Sequence, residues 1–202
     1  ISKGNDVLIS APTGTGKTLS AFLVFVDRYL QQAKSNDLEQ ELQLIYLSPL
    51  KSLAGDIREN LQKPKYGILE RIKRQEENTP RLGGSKELHI MIRTGDTSQS
   101  ERRSMIKKPP HILITTPESL FLMLSSKSGK EILKTAKTVI IDELHALIDT
   151  KRGAHLMLSL SRLEILCQHK LQRIGLSATI DPLSQAASYL SDDDCKIVAP
   201  KM

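Results

Sequence analysis

Between Val7 and Thr18 the chain reads VLISAPTGTGKT, residue types that can hold a chain of phosphates. The apolar run Val7-Leu8-Ile9 ends in a turn of small residues that passes into Lys17-Thr18, which predicts a strand, a phosphate loop and a helix N-terminus. Gly14 and Gly16 let the backbone turn its N–H groups toward an anion that a side chain would block, with Thr13 and Thr15 in the same cradle. Lys17 supplies a positive charge to the terminal phosphates, and Thr18 a hydroxyl for Mg²⁺. The dipole of the helix that starts there adds positive potential. Against the strict pattern G-x-x-x-x-G-K-[ST] the chain departs once, with Ala11 in place of the first Gly. The loop implies a nucleoside triphosphate. Alone it does not say what the hydrolysis drives.

A second stretch supplies the partner such a loop needs. In TVIIDELH, 138–145, an apolar strand delivers two carboxylates at its carboxyl end. Asp142 can hold Mg²⁺, directly or through water, and Glu143 can orient and deprotonate an attacking water. Ligands of open parallel sheets collect at that edge.

The elements that must position these groups follow from hydrophobic runs. Strands are expected at Val7–Ser10, 42–47, 88–92, 111–115, Thr138–Ile141, 173–176 and Lys196–Val198, most of them nearly continuous in Val, Ile and Leu. Helical patterns fill 19–30, 52–61, 98–105 and 153–167. The alternation predicts an α/β fold, a doubly wound and mainly parallel sheet of about seven strands with helices on both faces. One domain, 1–202, is expected. The charged stretch 62–87 is read as a peripheral insertion, a helix and a loose loop with a solvated face.

Composition narrows the partners. Lys and Arg number 29 against 23 Asp and Glu, and the net charge of +6 leans toward an acidic polymer, nucleic acid first. With no Trp, three Phe and four Tyr, base stacking is disfavoured and backbone tracking favoured. Cys167 and Cys195 lie outside any C-x-x-C pattern and call for neither disulfide nor zinc. No signal peptide or membrane span is evident, so the cytoplasm is expected, with nucleoid or nucleus as variants.

Together the segments resemble the first RecA-like domain of superfamily 2 DExH-box helicases. They occur in that family's order: APTGTGKT, SPLKSLAGDIREN at 48–60, RTGDTS at 93–98, TTPESL at 115–120, DELH at 142–145 and SAT at 177–179. Ala11 is usual in that superfamily. With KRGAHL and RIGLSAT added, the chain is most similar to the large helicase-related (Lhr) proteins. The resemblance implies ATP and Mg²⁺ as cofactors, held by Thr13, Gly14, Thr15, Gly16, Lys17, Thr18, Asp142 and Glu143. It implies nucleic-acid contacts at Ser48, Lys51, Arg93, Thr94, Thr97 and Thr116, where short hydroxyls and N–H groups follow apolar strands; Arg58, Arg102 and Arg103 could add charge. Turn and helix-cap chemistry is the plainer reading of the same hydroxyls. His145, Ser177 and Thr179 would link hydrolysis to strand movement, with the Ser177 and Thr179 hydroxyls able to bond the carboxylates in one arrangement of the two motor domains.

The family's adenine-recognition motif would precede Ile1, and a second RecA-like domain would follow Met202. The implied whole is an ATP-dependent DNA helicase or translocase acting on single-stranded or partly duplex nucleic acid, and the fragment alone would be weakly active or inactive. An RNA helicase of the same chemistry is the alternative, as is a phosphate-loop protein with no role in unwinding.

Overall fold

Seven strands run parallel in one sheet: β1 (Val7–Ser10), β2 (Leu44–Leu47), β3 (Ile90–Arg93), β4 (Ile112–Thr115), β5 (Thr138–Ile141), β6 (Gln172–Ser177) and β7 (Lys196–Val198), in the order β3-β4-β2-β5-β6-β1-β7. Helices α1 (Lys17–Lys34), α2 (Gln99–Lys107), α3 (Pro117–Leu124), α4 (Lys127–Leu133), α5 (Lys151–Cys167) and α6 (Leu183–Leu190) connect them, with a 3₁₀ turn at Leu144–Ala146. This computed structural model describes residues 1–12, 14–34, 39–49, 88–191 and 194–199. Thr13, Lys51, Arg58, the expected helix at 52–61 and the expected insertion at 62–87 lie outside the described residues.

Alternation along the strands divides the core in two, because successive side chains leave opposite faces of a sheet. Leu44, Tyr46, Ile112, Ile114 and Ile140 pack with Phe22, Phe25 and Tyr29 of α1. Ile45, Leu47, Leu113, Val139 and Ile141 pack with Leu120 of α3, Leu156 and Leu160 of α5 and Leu190 of α6. Each fully buried Leu or Ile contributes about 1.5–3 kcal/mol relative to exposure, so burial on both faces holds the sheet between its helices. The strand β7 differs. Among the described residues it pairs only with β1, at the sheet edge, and all three of its residues are exposed.

The α1 helix begins at Lys17, where the sequence places a helix N-terminus, so the phosphate-loop residues Lys17 and Thr18 form its first turn. Other boundaries differ from the sequence reading for local reasons. Helix α5 begins at Lys151 because the Thr150 hydroxyl accepts the Gly153 N–H at 3.0 Å. Strand β2 begins at Leu44, after Gln43 and Leu44 both donate backbone N–H groups to the His111 carbonyl. Short α3, α4 and α6 were not expected; α3 and α4 are opened by the capping hydroxyls of Thr116 and Ser126. Among the described residues no helix is long and apolar enough to cross a membrane.

Gly153 fixes how α5 meets its neighbours. A Cβ there would overlap the Leu147 carbonyl and the Tyr189 hydroxyl. Gly153→Ala gains about 1 kcal/mol of helix propensity. Overpacking costs about 3 kcal/mol when the obstacle is backbone that cannot rotate away. The expected net is destabilisation by about 2 kcal/mol, read as a lower urea midpoint with an unchanged slope.

Candidate active site

The sheet order puts β6 between β1 and β5, so the loop after β1 and the carboxylates after β5 stand two strand spacings apart, about 10 Å. The end of β6 is tied to the loop: Ala11 N–H donates to the Ser177 carbonyl at 3.2 Å and the Ser10 hydroxyl to the Ala178 carbonyl at 3.1 Å. Gly14 and Gly16 have φ of 81° and 85°. A Cβ on either would meet no protein atom within 4 Å, so these glycines are required for left-handed backbone rather than for room. The Lys17 ammonium donates to the carbonyls of Ala11 at 2.5 Å and Pro12 at 2.9 Å, and the Thr15 hydroxyl to Pro12 at 2.8 Å. Lysine and loop are drawn into one compact turn at the head of α1.

The carboxylate side is organised by a residue that sequence reasoning missed. Asp142, only 8% exposed, accepts the Tyr46 hydroxyl on Oδ2 at 2.5 Å and the Glu143 N–H on Oδ1 at 3.0 Å. Burial and then the Asp142 charge push the Tyr46 phenol far above its ordinary range, so it remains a donor. Thr18, in the first turn of α1, and Asp142, directly after β5, are the residues expected to hold Mg²⁺. The signal in the sequence was a tyrosine within an otherwise aliphatic strand.

This donor set suits a hard cation that completes its shell with phosphate and water oxygens, as Mg²⁺ does. Among the described residues no group of three or more His, Cys, Asp or Glu could hold a metal by itself.

Glu143 adopts a left-handed conformation, φ 48° and ψ 45°, uncommon outside glycine. Its Oε2 lies 3.4 Å from His145 Nε2. The other ring nitrogen, Nδ1, accepts the Ala178 N–H at 3.2 Å and lies 3.3 Å from the Ser177 hydroxyl. A backbone N–H can only donate, so Nδ1 acts as an acceptor and the tautomer with the proton on Nε2, the nitrogen nearer Glu143, fits this contact. In this structure the Ser177 hydroxyl meets His145 Nδ1. Ser177 reaches Glu143 through His145, and Thr179 is exposed beyond β6.

Residues expected to meet nucleic acid follow β2, β3 and β4, which are neighbours on the other half of the sheet. Their hydroxyls are largely engaged inside. Ser48 is fully buried, and Thr116, 2% exposed, caps α3 by accepting the Ser119 N–H at 3.3 Å. Thr97 accepts the Thr94 N–H at 2.8 Å, closing a turn that Arg102 staples by donating to the Thr97 and Gly95 carbonyls. As folded, Ser48 and Thr116 are covered by the surrounding structure. Arg93 remains partly open. Burial and then the like charge of Arg102 lower its pKa, a repulsion that an anion would relieve.

Arg152, from the KRG stretch, lies beside these segments. Its guanidinium donates to both Glu118 oxygens at 2.6 and 3.1 Å and to the Pro49 carbonyl at 2.8 Å. The Arg152 hydrogen bond holds the Glu118 carboxyl below its usual range.

Comparison with known proteins agrees with this geometry. Residues 1–186 match the DEAD/DEAH box helicase family. The chain is 49% identical over 190 residues to the ATP-dependent helicase Lhr-Core protein 2 of Thermococcus barophilus, 94% of this chain and 21% of that protein. It superposes on the Mycobacterium smegmatis helicase Lhr bound to ssDNA and AMP-PNP with a TM-score of 0.87 and 47% identity, over 99% of this chain and 24% of that one. The DUF1998 helicase MrfA bound to DNA gives a TM-score of 0.75 at 25% identity, over 98% of this chain and 25% of that one. The chain thus spans about a fifth to a quarter of the length of these relatives.

Proposed function

The chain belongs to the DEAD/DEAH box helicase family, and from that premise we propose that it is the ATP-binding and ATP-hydrolysing motor domain of a helicase or translocase that moves along a nucleic-acid backbone. The observation that carries this reading is the division of the sheet's carboxyl edge. The phosphate loop, Asp142, Glu143 and the Ser177 link follow β1, β5 and β6, while the segments read as strand contacts follow β3, β4 and β2.

In this reading the loop N–H groups from Gly14 to Thr18 and the Lys17 ammonium bind the β- and γ-phosphates of ATP. Thr13 belongs to the same cradle. Thr18 and Asp142 would hold Mg²⁺, which neutralises charge developing on the transferred phosphoryl group. Glu143 orients the attacking water and takes its proton, and His145, with Nε2 3.4 Å from Oε2, stands beside the Glu143 carboxylate. Ser177 and Ala178 touch both the loop and His145, so a shift on either side is felt by the other. Thr179 completes the coupling segment.

Single-stranded or partly duplex nucleic acid is the proposed track, met by Ser48, Lys51, Arg93, Thr94, Thr97 and Thr116. For Ser48 and Thr116, buried in this structure, the contact would require their hydroxyls to be uncovered when the strand binds. DNA is favoured over RNA because Lhr and MrfA are described bound to it. A second RecA-like domain of the same full-length protein completes the engine, and a site of action within the cell, at the nucleoid or in a nucleus, follows from the track.

Backbone tracking has a thermodynamic signature. The logarithm of strand affinity should fall linearly with log salt, with a slope of roughly −0.7 per phosphate neutralised. Removing Arg93 should weaken all sequences alike and shallow that slope. A flat salt response, or a strong preference for one base sequence, would contradict tracking.

A further inference from the structure

We propose that Arg152 is the positioning residue through which the strand-facing half of the sheet edge sets the geometry of the hydrolytic half; the proposal rests on the motor reading above. Three segments meet at this one guanidinium. Pro49 follows β2, Glu118 stands in the first turn of α3 behind the Thr116 cap, and Arg152 itself stands in the first turn of α5. The first two belong to the stretches read as strand contacts, and the third continues directly from the carboxylates. The distances, 2.6, 2.8 and 3.1 Å, are those of a charged fork engaging a carboxylate at two oxygens and a carbonyl beside it.

The path from Arg152 back to Glu143 is short and closed by hydrogen bonds. The Thr150 hydroxyl donates to the Leu147 carbonyl at 2.7 Å while accepting the Gly153 N–H at 3.0 Å. Leu147 N–H donates to Leu144, and Ala146 N–H to Glu143, at 2.9 Å each. Two left-handed residues, Glu143 and Asp149, leave this segment little freedom to yield. A displacement of Pro49 or Glu118 by an arriving strand would therefore pass through Arg152 to the Glu143–His145 pair. Shape, not proton transfer, carries the signal.

The test uses the full-length protein and a single-stranded oligonucleotide, with ATP turnover followed across strand concentrations. Arg152→Lys keeps the charge but not the planar fork. Glu118→Gln keeps the shape of an exposed side chain but loses the ion pair. Both variants should leave turnover without strand and the thermal midpoint unchanged. Both should lower the maximal strand stimulation by about 10-fold, within the 5–150-fold range of coupling between sites, with half-saturating strand concentration little altered. The double variant should be no worse than either single one, because both remove one link. Undiminished stimulation in both variants would overturn the proposal. So would basal and stimulated turnover falling in proportion with the thermal midpoint, the mark of a purely structural contact. An unaltered protein that shows no strand stimulation would overturn the motor reading, and the proposal with it.

Discussion

Glu143→Gln in the full-length protein is expected to lower ATP turnover by about 10²–10⁴-fold, the usual contribution of a positioned base. The substitution keeps volume and one acceptor oxygen but removes the group that takes the proton from water. It leaves untouched the Gly14 and Gly16 turn, the Lys17 ammonium and the Tyr46–Asp142 contact. Nucleotide affinity should therefore stay within about threefold of the unaltered protein, as expected for a group acting only in the transition state. The His145 proton on Nε2 keeps an acceptor in the amide oxygen, so the link to Ser177 survives. Turnover and binding part company. A turnover assay beside equilibrium binding of ATP separates the two effects, and unaltered turnover would remove Glu143 from the role of base.

Lys17→Ala should act on binding itself. A charged hydrogen bond to phosphate contributes about 1.5–3 kcal/mol, so affinity for ATP should fall by about 10- to 150-fold. Affinity for adenosine, which carries no phosphate, should not change. The same substitution frees the Ala11 and Pro12 carbonyls, which sit partly at the surface and can turn to water instead. A thermal melt within a few degrees of the unaltered protein would show that the loss concerns the ligand rather than the fold. An ATP affinity unchanged by the substitution would mean that the loop does not hold the terminal phosphates.

The phosphate loop and the carboxylate pair were legible because their chemistry is local. Strand, turn and helix follow one another within Val7 to Thr18, and Asp142 and Glu143 end an uninterrupted aliphatic run. The parallel sheet was legible for the same reason, since strands buried on both faces read as continuous apolar segments. Tyr46 was not legible as a site residue. Its hydroxyl meets Asp142 across 96 positions, and within its own strand it looks like one more core side chain. Ser48 and Thr116 have the residue types of phosphate ligands, but the packing of β2, β4 and α3 buries their hydroxyls, and burial is a tertiary property. In the sequence Arg152 stands only as part of the KRGAHL segment that carries the family resemblance. Its partners lie 34 and 103 positions away, beyond any periodicity. Short α4 and α6 have too few turns for a clear apolar stripe, and their neighbours decide them.

The account's central claim is that one edge of this sheet binds ATP through the loop and hydrolyses it through Glu143, two roles on two residues. The most direct measurement is a paired titration of ATP into the full-length Lys17→Ala and Glu143→Gln proteins, with the unaltered protein alongside. The account predicts binding weakened by about 10- to 150-fold in Lys17→Ala and essentially retained in Glu143→Gln. Equal loss of affinity in both variants, or no ATP binding by the unaltered protein, would contradict it.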